Sequence, residues 1–168
     1  MTEADRGAAF LEILGRLPAD AQAALYRYAE RLALSYGAQG TPRSGFRDLL
    51  GMQTAEAPPG RAEVTLDVRP EMLNRGGILH GGAFCALADQ AIGHAVHSTL
   101  GEGGHAVTTE LKVNFLRAVT GGRVIGKGRL LRRGRHLVVG EADLVDGTDA
   151  LCGKAMGTWM ILNPDRGA

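Results

Sequence analysis

The spacing of apolar residues changes along the chain and predicts helices first and strands later. Residues 8–36 repeat apolar side chains at helical spacing, with a break near Pro18, and so predict two helices. From residue 61 the repeat shortens to two, because RAEVTLDVRP (61–70) alternates apolar and polar positions as a half-buried strand does. Four more strand-like runs follow: HAVTTELKVNFLRAV (105–119), GRVIGKGRLLRR (122–133), HLVVGEADLVDG (136–147) and ALCGKAMGTWMIL (150–162).

The last four strand-like runs are joined by short glycine-containing turns, and a single helix lies between them and the first strand. Short joins of this kind build antiparallel hairpins, because parallel strands need longer crossovers. The helix is expected to start near Gly81 and to end before Gly101, and it is apolar on almost every side, which indicates burial. We therefore predict an α+β fold in which a curved antiparallel sheet of five to six strands wraps a long central hydrophobic helix.

The N-terminal helices are predicted to form an extension that is separate from this domain. The stretch GAQGTPRSG (37–45) is typical of a linker, since glycine, proline and serine interrupt both periodic patterns. We place the N-terminal helical extension at residues 1–40 and the sheet-and-helix domain at residues 41–168.

Composition adds few constraints on partners. Nineteen basic residues against eighteen acidic ones give a formal charge of +1, so no overall field favours nucleic acid or an anionic membrane. Cys85 and Cys152 lie far apart and form no paired motif, which fits a reducing compartment. The N-terminus lacks the features of a secretory signal, and no apolar run approaches the ~18 residues of a membrane span. We expect a cytoplasmic protein that binds neither nucleic acid nor membrane.

One carboxylate lies within the predicted buried helix. Asp89 is the only formally charged residue between Gly76 and Gly101, and an unpaired buried carboxylate is costly. The start of the helix supplies candidate partners for a substrate, because the backbone N–H groups of Gly81 and Gly82 are expected to be free there. Glycine lets a carbonyl oxygen approach such donors closely, as oxyanion stabilisation requires. An aspartate at the rim that caps a loop is the alternative.

The spacing of Asp89 and Gly81 argues for two subunits. Eight residues of helix separate the two groups by about 12 Å along the axis. Reacting groups must lie within about 3–3.5 Å of the same centre, so one helix cannot supply both groups to one substrate. If they cooperate, Asp89 acts with the Gly81 of a partner, which predicts a homodimer with two symmetric sites.

A family resemblance is carried by the sequence NRGGILHGGAFCALAD (74–89). It resembles the N-x-x-G-x-x-H-G-G motif, followed seven residues later by Asp, of hotdog-fold acyl-CoA thioesterases of the phenylacetate-degradation PaaI type. Downstream strand sequences also resemble that family, so the likeness covers about residues 46–163. The resemblance implies a hotdog fold and hydrolysis of an acyl-CoA thioester to the free acid and coenzyme A, by a homodimer or a dimer of dimers.

The resemblance also implies roles for residues of the motif. The aspartate matching Asp89 acts as general base for water or as nucleophile, and the Gly81 amide polarises the thioester carbonyl from the other subunit. The supporting residues implied are Asn74, which positions the water or the carboxylate, His80 and Gly82 at the start of the helix, and Thr108 on the following strand, with Thr109 on the opposite strand face.

Coenzyme A carries phosphates, so cations are expected near its binding site. The segment RLLRRGRHL places Arg132, Arg133 and Arg135 around Gly134, and Arg117 follows the preceding long strand. Arginine is suited to bidentate phosphate contacts, and the resemblance places this loop against the nucleotide. A solvated surface turn is the alternative.

Other functions are less well supported by the sequence. No metal or redox cofactor is expected, since His94, His97 and His105 lack accompanying acids or cysteines, and coenzyme A enters as part of the substrate. The HGG sequence is not accompanied by the G-x-S-x-G of an α/β-hydrolase. A non-catalytic acyl-CoA-binding or regulatory hotdog module remains as an alternative, and a hotdog hydratase or dehydratase is a weaker one.

Overall fold

The computed structural model describes residues 2–36, 45–55 and 57–162. Contacts along the chain divide it into two compact units, Met1–Leu50 and Gly51–Ala168. The predicted linker falls almost entirely in residues 37–44, which lie outside the described residues. The boundary between residues 40 and 41 therefore stays a prediction.

The described residues of the first unit form three helices. They are α1 (Glu3–Arg16), α2 (Ala19–Tyr36) and α3 (Gly45–Leu50). The predicted break near Pro18 is confirmed, and α1 begins earlier than expected because Thr2 and Asp5 form a capping box at its start. Helix α3 was not predicted from the sequence, since a helix of six residues is too short to display a periodic pattern.

The second unit is one antiparallel sheet with a central helix, α4 (Gly81–His97). Its strands follow the spatial order β1-β2-β4-β5-β6-β3. Their bounds are β1 (Gln53–Ala55), β2 (Arg61–Asp67), β3 (Ala106–Phe115), β4 (Arg123–Arg133), β5 (Leu137–Asp146) and β6 (Leu151–Ile161). The predicted α+β hotdog architecture is confirmed, with β1 as a short strand that the sequence pattern did not reveal.

Helix α4 packs closely against one face of the sheet and contacts β2, β3, β4, β5 and β6. It buries eight apolar residues: Ala83, Phe84, Leu87, Ala88, Ala91, Ile92, Ala95 and Val96. Gly128 on β4 permits the close approach, because a Cβ there would lie 2.2 Å from the Ala91 carbonyl oxygen. The helix that carries Asp89 is therefore fixed against the sheet by direct contact with strand backbone.

The sheet is open, with β1 and β3 as its edge strands. Within the described residues β3 pairs only with β6, and most of its side chains are exposed. None of the described helices has both the length and the hydropathy needed to cross a bilayer.

Candidate active site

The N-terminus of α4 presents one free amide. The His80 side chain caps the helix, since its Nδ1 accepts a hydrogen bond from the Gly82 N–H at 2.9 Å. The expectation that Gly82 offers a free donor is therefore wrong, because the preceding histidine folds back onto it. The Gly81 N–H has no acceptor among the described residues, so it alone of the two glycine amides can donate to a ligand.

Asn74 organises the loop that leads into this helix. Its side-chain oxygen accepts from the Gly76 N–H at 2.8 Å and, at 3.4 Å, from the Ile78 N–H. The Asn74 N–H also donates a hydrogen bond to the Ile78 carbonyl oxygen at 2.8 Å. This oxygen is occupied within its own loop, so any contact with water or a carboxylate uses the side-chain NH₂ group.

Phe115 at the end of β3 lies against Gly81. Its Cζ is 3.2 Å from the position that a Cβ at Gly81 would occupy, so only glycine fits there without displacing the ring. The ring packs edge-on against Phe84, with centroids 5.8 Å apart. Phe115 was not predicted as a site residue, because a contact between residues this far apart in the chain leaves no local sequence pattern.

Asp89 is held by Thr108. The Thr108 hydroxyl donates to one carboxylate oxygen of Asp89 at 2.7 Å, which leaves the other oxygen available for chemistry. Asp89 is half-buried and Thr108 is exposed on the edge strand. Thr109 instead donates to the Thr158 carbonyl at 3.0 Å, so the two threonines have different environments, as expected.

A β-bulge selects which threonine faces the helix. The register of β3 against β6 shifts between Thr108 and Glu110. Thr108 pairs with the buried Trp159, and beyond the bulge Phe115 pairs with the buried Gly153, so both point towards α4. Without the shift, Thr108 and Phe115 would lie on opposite faces of the strand.

The two halves of the predicted site lie near opposite ends of β3. Gly81 lies beside Phe115, whereas Asp89 lies beneath Thr108. The helix between them accounts for about 12 Å along its axis. The structure thus brings together Asp89 with Thr108, and His80 with Gly81 and Gly82, but it leaves these two groups apart within one chain.

The predicted phosphate contacts occupy two places. The Arg117 guanidinium lies 3.8 Å from the Asp146 carboxylate. The same carboxylate accepts hydrogen bonds from the Thr148 hydroxyl and the Thr148 N–H. Those hydrogen bonds, with one from the Ala150 N–H, hold the pKa of Asp146 below its usual range. Arg132, Arg133 and Arg135 are exposed around Gly134 in the β4–β5 hairpin.

The histidines of α4 have partners in their own chain. His94 Nε2 lies 3.1 Å from the Thr54 hydroxyl, and His97 Nδ1 lies 2.7 Å from the Gly93 carbonyl. Over the described ranges, no three side chains of histidine, cysteine, aspartate or glutamate are grouped so that they could hold a metal ion.

Residues 76–153 match the model of a protein family that is described as the thioesterase superfamily. SSO1253 of Saccharolobus solfataricus, which carries a provisional esterase name, is 33% identical over 114 residues, covering 68% of this chain and 75% of that protein. The residues matched by the family model include Gly81 and Asp89.

Two solved structures extend the comparison. A mutant of the phenylacetic acid degradation protein PaaI from Thermus thermophilus is 28% identical, with a TM-score of 0.65 over 71% of this chain and 100% of that one. BH2602 of Bacillus halodurans, whose crystal structure contains CoA, is 22% identical, with a TM-score of 0.80 over 89% of this chain and 97% of that one. The second likeness concerns the fold alone, and it extends beyond the Gly51–Ala168 unit.

Proposed function

This chain belongs to the thioesterase superfamily as a PaaI-like hotdog protein, and from that premise we propose that it hydrolyses acyl-CoA thioesters at a site shared by two subunits. The observation that carries the proposal is the separation of a held carboxylate, Asp89, from a free helix-terminal amide, Gly81. Each is one half of a thioester-hydrolysing site, and a second copy of the chain supplies the missing half.

The open edge of β3 supports this arrangement. An antiparallel pairing of two β3 strands satisfies the exposed backbone groups of both edges. If the twofold axis passes between Leu111 and Lys112, Thr108 of one subunit lies opposite the partner's Phe115. Because Asp89 lies beneath Thr108 and Gly81 lies beside Phe115, this register brings Asp89 next to the partner's Gly81.

In the proposed reaction, water attacks the thioester carbonyl carbon while Asp89 removes one of its protons. The carbonyl electron pair moves to oxygen, where the partner's Gly81 N–H stabilises the negative charge. Collapse of this intermediate breaks the carbon–sulfur bond, and the leaving thiolate takes up the proton that Asp89 holds. The products are the carboxylic acid and free coenzyme A, with one water consumed.

Direct attack by Asp89 is the other route open to the same groups. It forms a mixed anhydride with the acyl group and expels the thiolate, after which water releases the acid. After a single turnover in ¹⁸O-labelled water, label found in Asp89 identifies the anhydride route. Attack of that water on the Asp89 carbonyl of the anhydride leaves the label in Asp89, whereas general-base catalysis places it only in the product.

The supporting side chains have defined tasks in this proposal. The Thr108 hydroxyl orients Asp89 and directs its second oxygen towards the substrate. His80 fixes the start of α4 through Gly82, so that the Gly81 N–H keeps its direction. We assign Arg132, Arg133 and Arg135 to the coenzyme A phosphates, and the presence of CoA in the structure of BH2602, a protein of the same fold, supports a ligand of this class.

The proposed function is tested by assaying acetyl-, hexanoyl- and phenylacetyl-CoA with the wild type and Asp89→Asn, following the released thiol. Asp89→Asn keeps the shape of the side chain and removes its basicity, so kcat is expected to fall by at least about a hundredfold. Asp67→Asn is the control, because Asp67 is an exposed acid paired with Arg123 on another strand. It should leave kcat unchanged.

Three results would contradict the proposal in different ways. Thiol release that survives in Asp89→Asn removes Asp89 from the mechanism. Tight binding of acyl-CoA by the wild type without turnover identifies a binding module. Addition of water to an enoyl-CoA without thiol release identifies a hydratase.

A further inference from the structure

Phe115 combines an anchored edge with an open surface. Its ring packs edge-on against Phe84, which is only 3% exposed, yet 56% of Phe115 itself is exposed. It also points to the helix side of the sheet rather than to the outer side. An aromatic ring held at one edge and open on the rest offers a fixed apolar wall for a ligand.

This open ring adjoins the free amide at the start of α4. The distance of 3.2 Å from Phe115 Cζ to a notional Cβ on Gly81 places the ring beside that residue. When a thioester carbonyl oxygen accepts a hydrogen bond from the Gly81 N–H, the substituents of the carbonyl carbon therefore pass beside the ring. One of those substituents is the acyl group of the thioester.

We propose that Phe115 determines acyl-group selectivity, by forming the wall along which the acyl group lies when its carbonyl is bound to Gly81 of the same subunit. The inference rests on the proposed function, since it takes the Gly81 amide as the carbonyl donor. An acetyl group is too short to cover the ring, whereas hexanoyl and phenylacetyl groups extend over it. Phe115 contributes contact to the longer groups and no chemistry.

The test compares Phe115→Ala and Phe115→Leu with the wild type on acetyl-, hexanoyl- and phenylacetyl-CoA. Loss of an aromatic contact is expected to lower kcat/KM for phenylacetyl-CoA relative to acetyl-CoA by about 5- to 10-fold in Phe115→Ala. Phe115→Leu keeps apolar bulk, so it should retain much of the preference for hexanoyl-CoA. Leu116→Ala is the matched control, because Leu116 is the next residue and is also 56% exposed.

The ratio of substrates distinguishes this inference from the proposed function. If the wild type hydrolyses no acyl-CoA, the proposed function fails and the inference fails with it. If the wild type is active and Phe115→Ala lowers kcat/KM equally for all three substrates, only the inference is overturned. A change of the same size in Leu116→Ala also overturns it.

The mass of the protein assembly in solution shows whether the Phe115 ring has a purely structural role. If both Phe115 variants dissociate, and their remaining activity keeps the wild-type substrate ratio, the ring belongs to the subunit interface and the inference is wrong. An unchanged mass in Phe115→Leu with an altered substrate ratio supports the selectivity role.

Discussion

Replacing Gly81 with proline removes one backbone N–H and leaves the start of α4 otherwise able to form. Gly81 is the first residue of the helix, a position where proline is favoured because its N–H has no partner within the helix. The preceding residue, His80, has φ −61° and ψ 136°, an extended conformation that a following proline accepts. The substitution therefore deletes the proposed carbonyl donor with little cost to folding.

The size of the effect follows from the role assigned to that amide. Loss of a single oxyanion donor lowers kcat by roughly 10²–10³-fold. Steric effects are measured separately by Gly81→Ala, since alanine adds the same Cβ against Phe115 and keeps the N–H. The exposed ring has room to move by the few tenths of an ångström that this Cβ needs.

The assay measures kcat and KM by thiol release and stability by thermal unfolding. Gly81→Pro should show the loss in kcat, whereas Gly81→Ala should stay within about tenfold of the wild type. Both variants should unfold within a few degrees of the wild type. If alanine is as inactive as proline, crowding at Gly81 accounts for the loss, and the proline result gives the amide no support. A Gly81→Pro variant that keeps the wild-type kcat refutes the role of the amide.

Three further predictions concern the support of the site. Thr108→Val removes a hydrogen bond to the Asp89 carboxylate, worth about 1.5 kcal/mol at an exposed position, and should lower kcat/KM about tenfold, whereas Thr109→Val should not. Gly128→Ala forces a Cβ against the backbone of α4 and should cost about 3 kcal/mol, or roughly 10 °C in thermal unfolding. Asp146→Asn should lower the unfolding temperature at neutral pH, by a margin that shrinks in acid.

The pH dependence expected for Asp146→Asn follows from the lowered pKa of Asp146. Hydrogen bonds from Thr148 and Ala150 lower the pKa of Asp146 in the folded state. Its charged form therefore stabilises the fold above the ordinary aspartate pKa of about 3.9, and this contribution is lost as the pH falls through the lowered folded value. A difference between variant and wild type that is constant from pH 7 to pH 3 would contradict the assignment.

The other two predictions have their own controls. Gly121→Ala is the control for Gly128→Ala, because a Cβ placed on Gly121 meets no neighbouring atom within 4 Å. Equal unfolding temperatures for the two alanine variants would show that α4 can move away from β4 without loss. For the threonines, equal losses of kcat/KM in the Thr108 and Thr109 variants would show that the hydrogen bond to Asp89 is not the cause.

Much of the central helix could be predicted from the sequence because its signals are local. The glycines at its start, its apolar surround and the lone charge of Asp89 all lie within one continuous segment, and α4 begins at Gly81 as expected. The separation of Gly81 from Asp89 also follows from helix geometry alone.

The remaining features depend on contacts between distant segments or on short elements. The β-bulge after Thr108 reverses the alternation of β3 and places Phe115 on the helix side, which no apolar pattern indicates. Whether the Gly82 amide is free depends on the rotamer of His80. Strand β1 and helix α3 have three and six residues, too few to show a period.

The shared site is tested most directly by combining two inactive subunits. Asp89→Asn and Gly81→Pro are co-expressed with different affinity tags, and the mixed dimer is purified through both tags. If the site combines Asp89 of one chain with the partner's Gly81, the mixed dimer contains one intact site of two and should recover about half of the wild-type kcat per dimer. Activity no higher than that of either inactive homodimer would contradict the account.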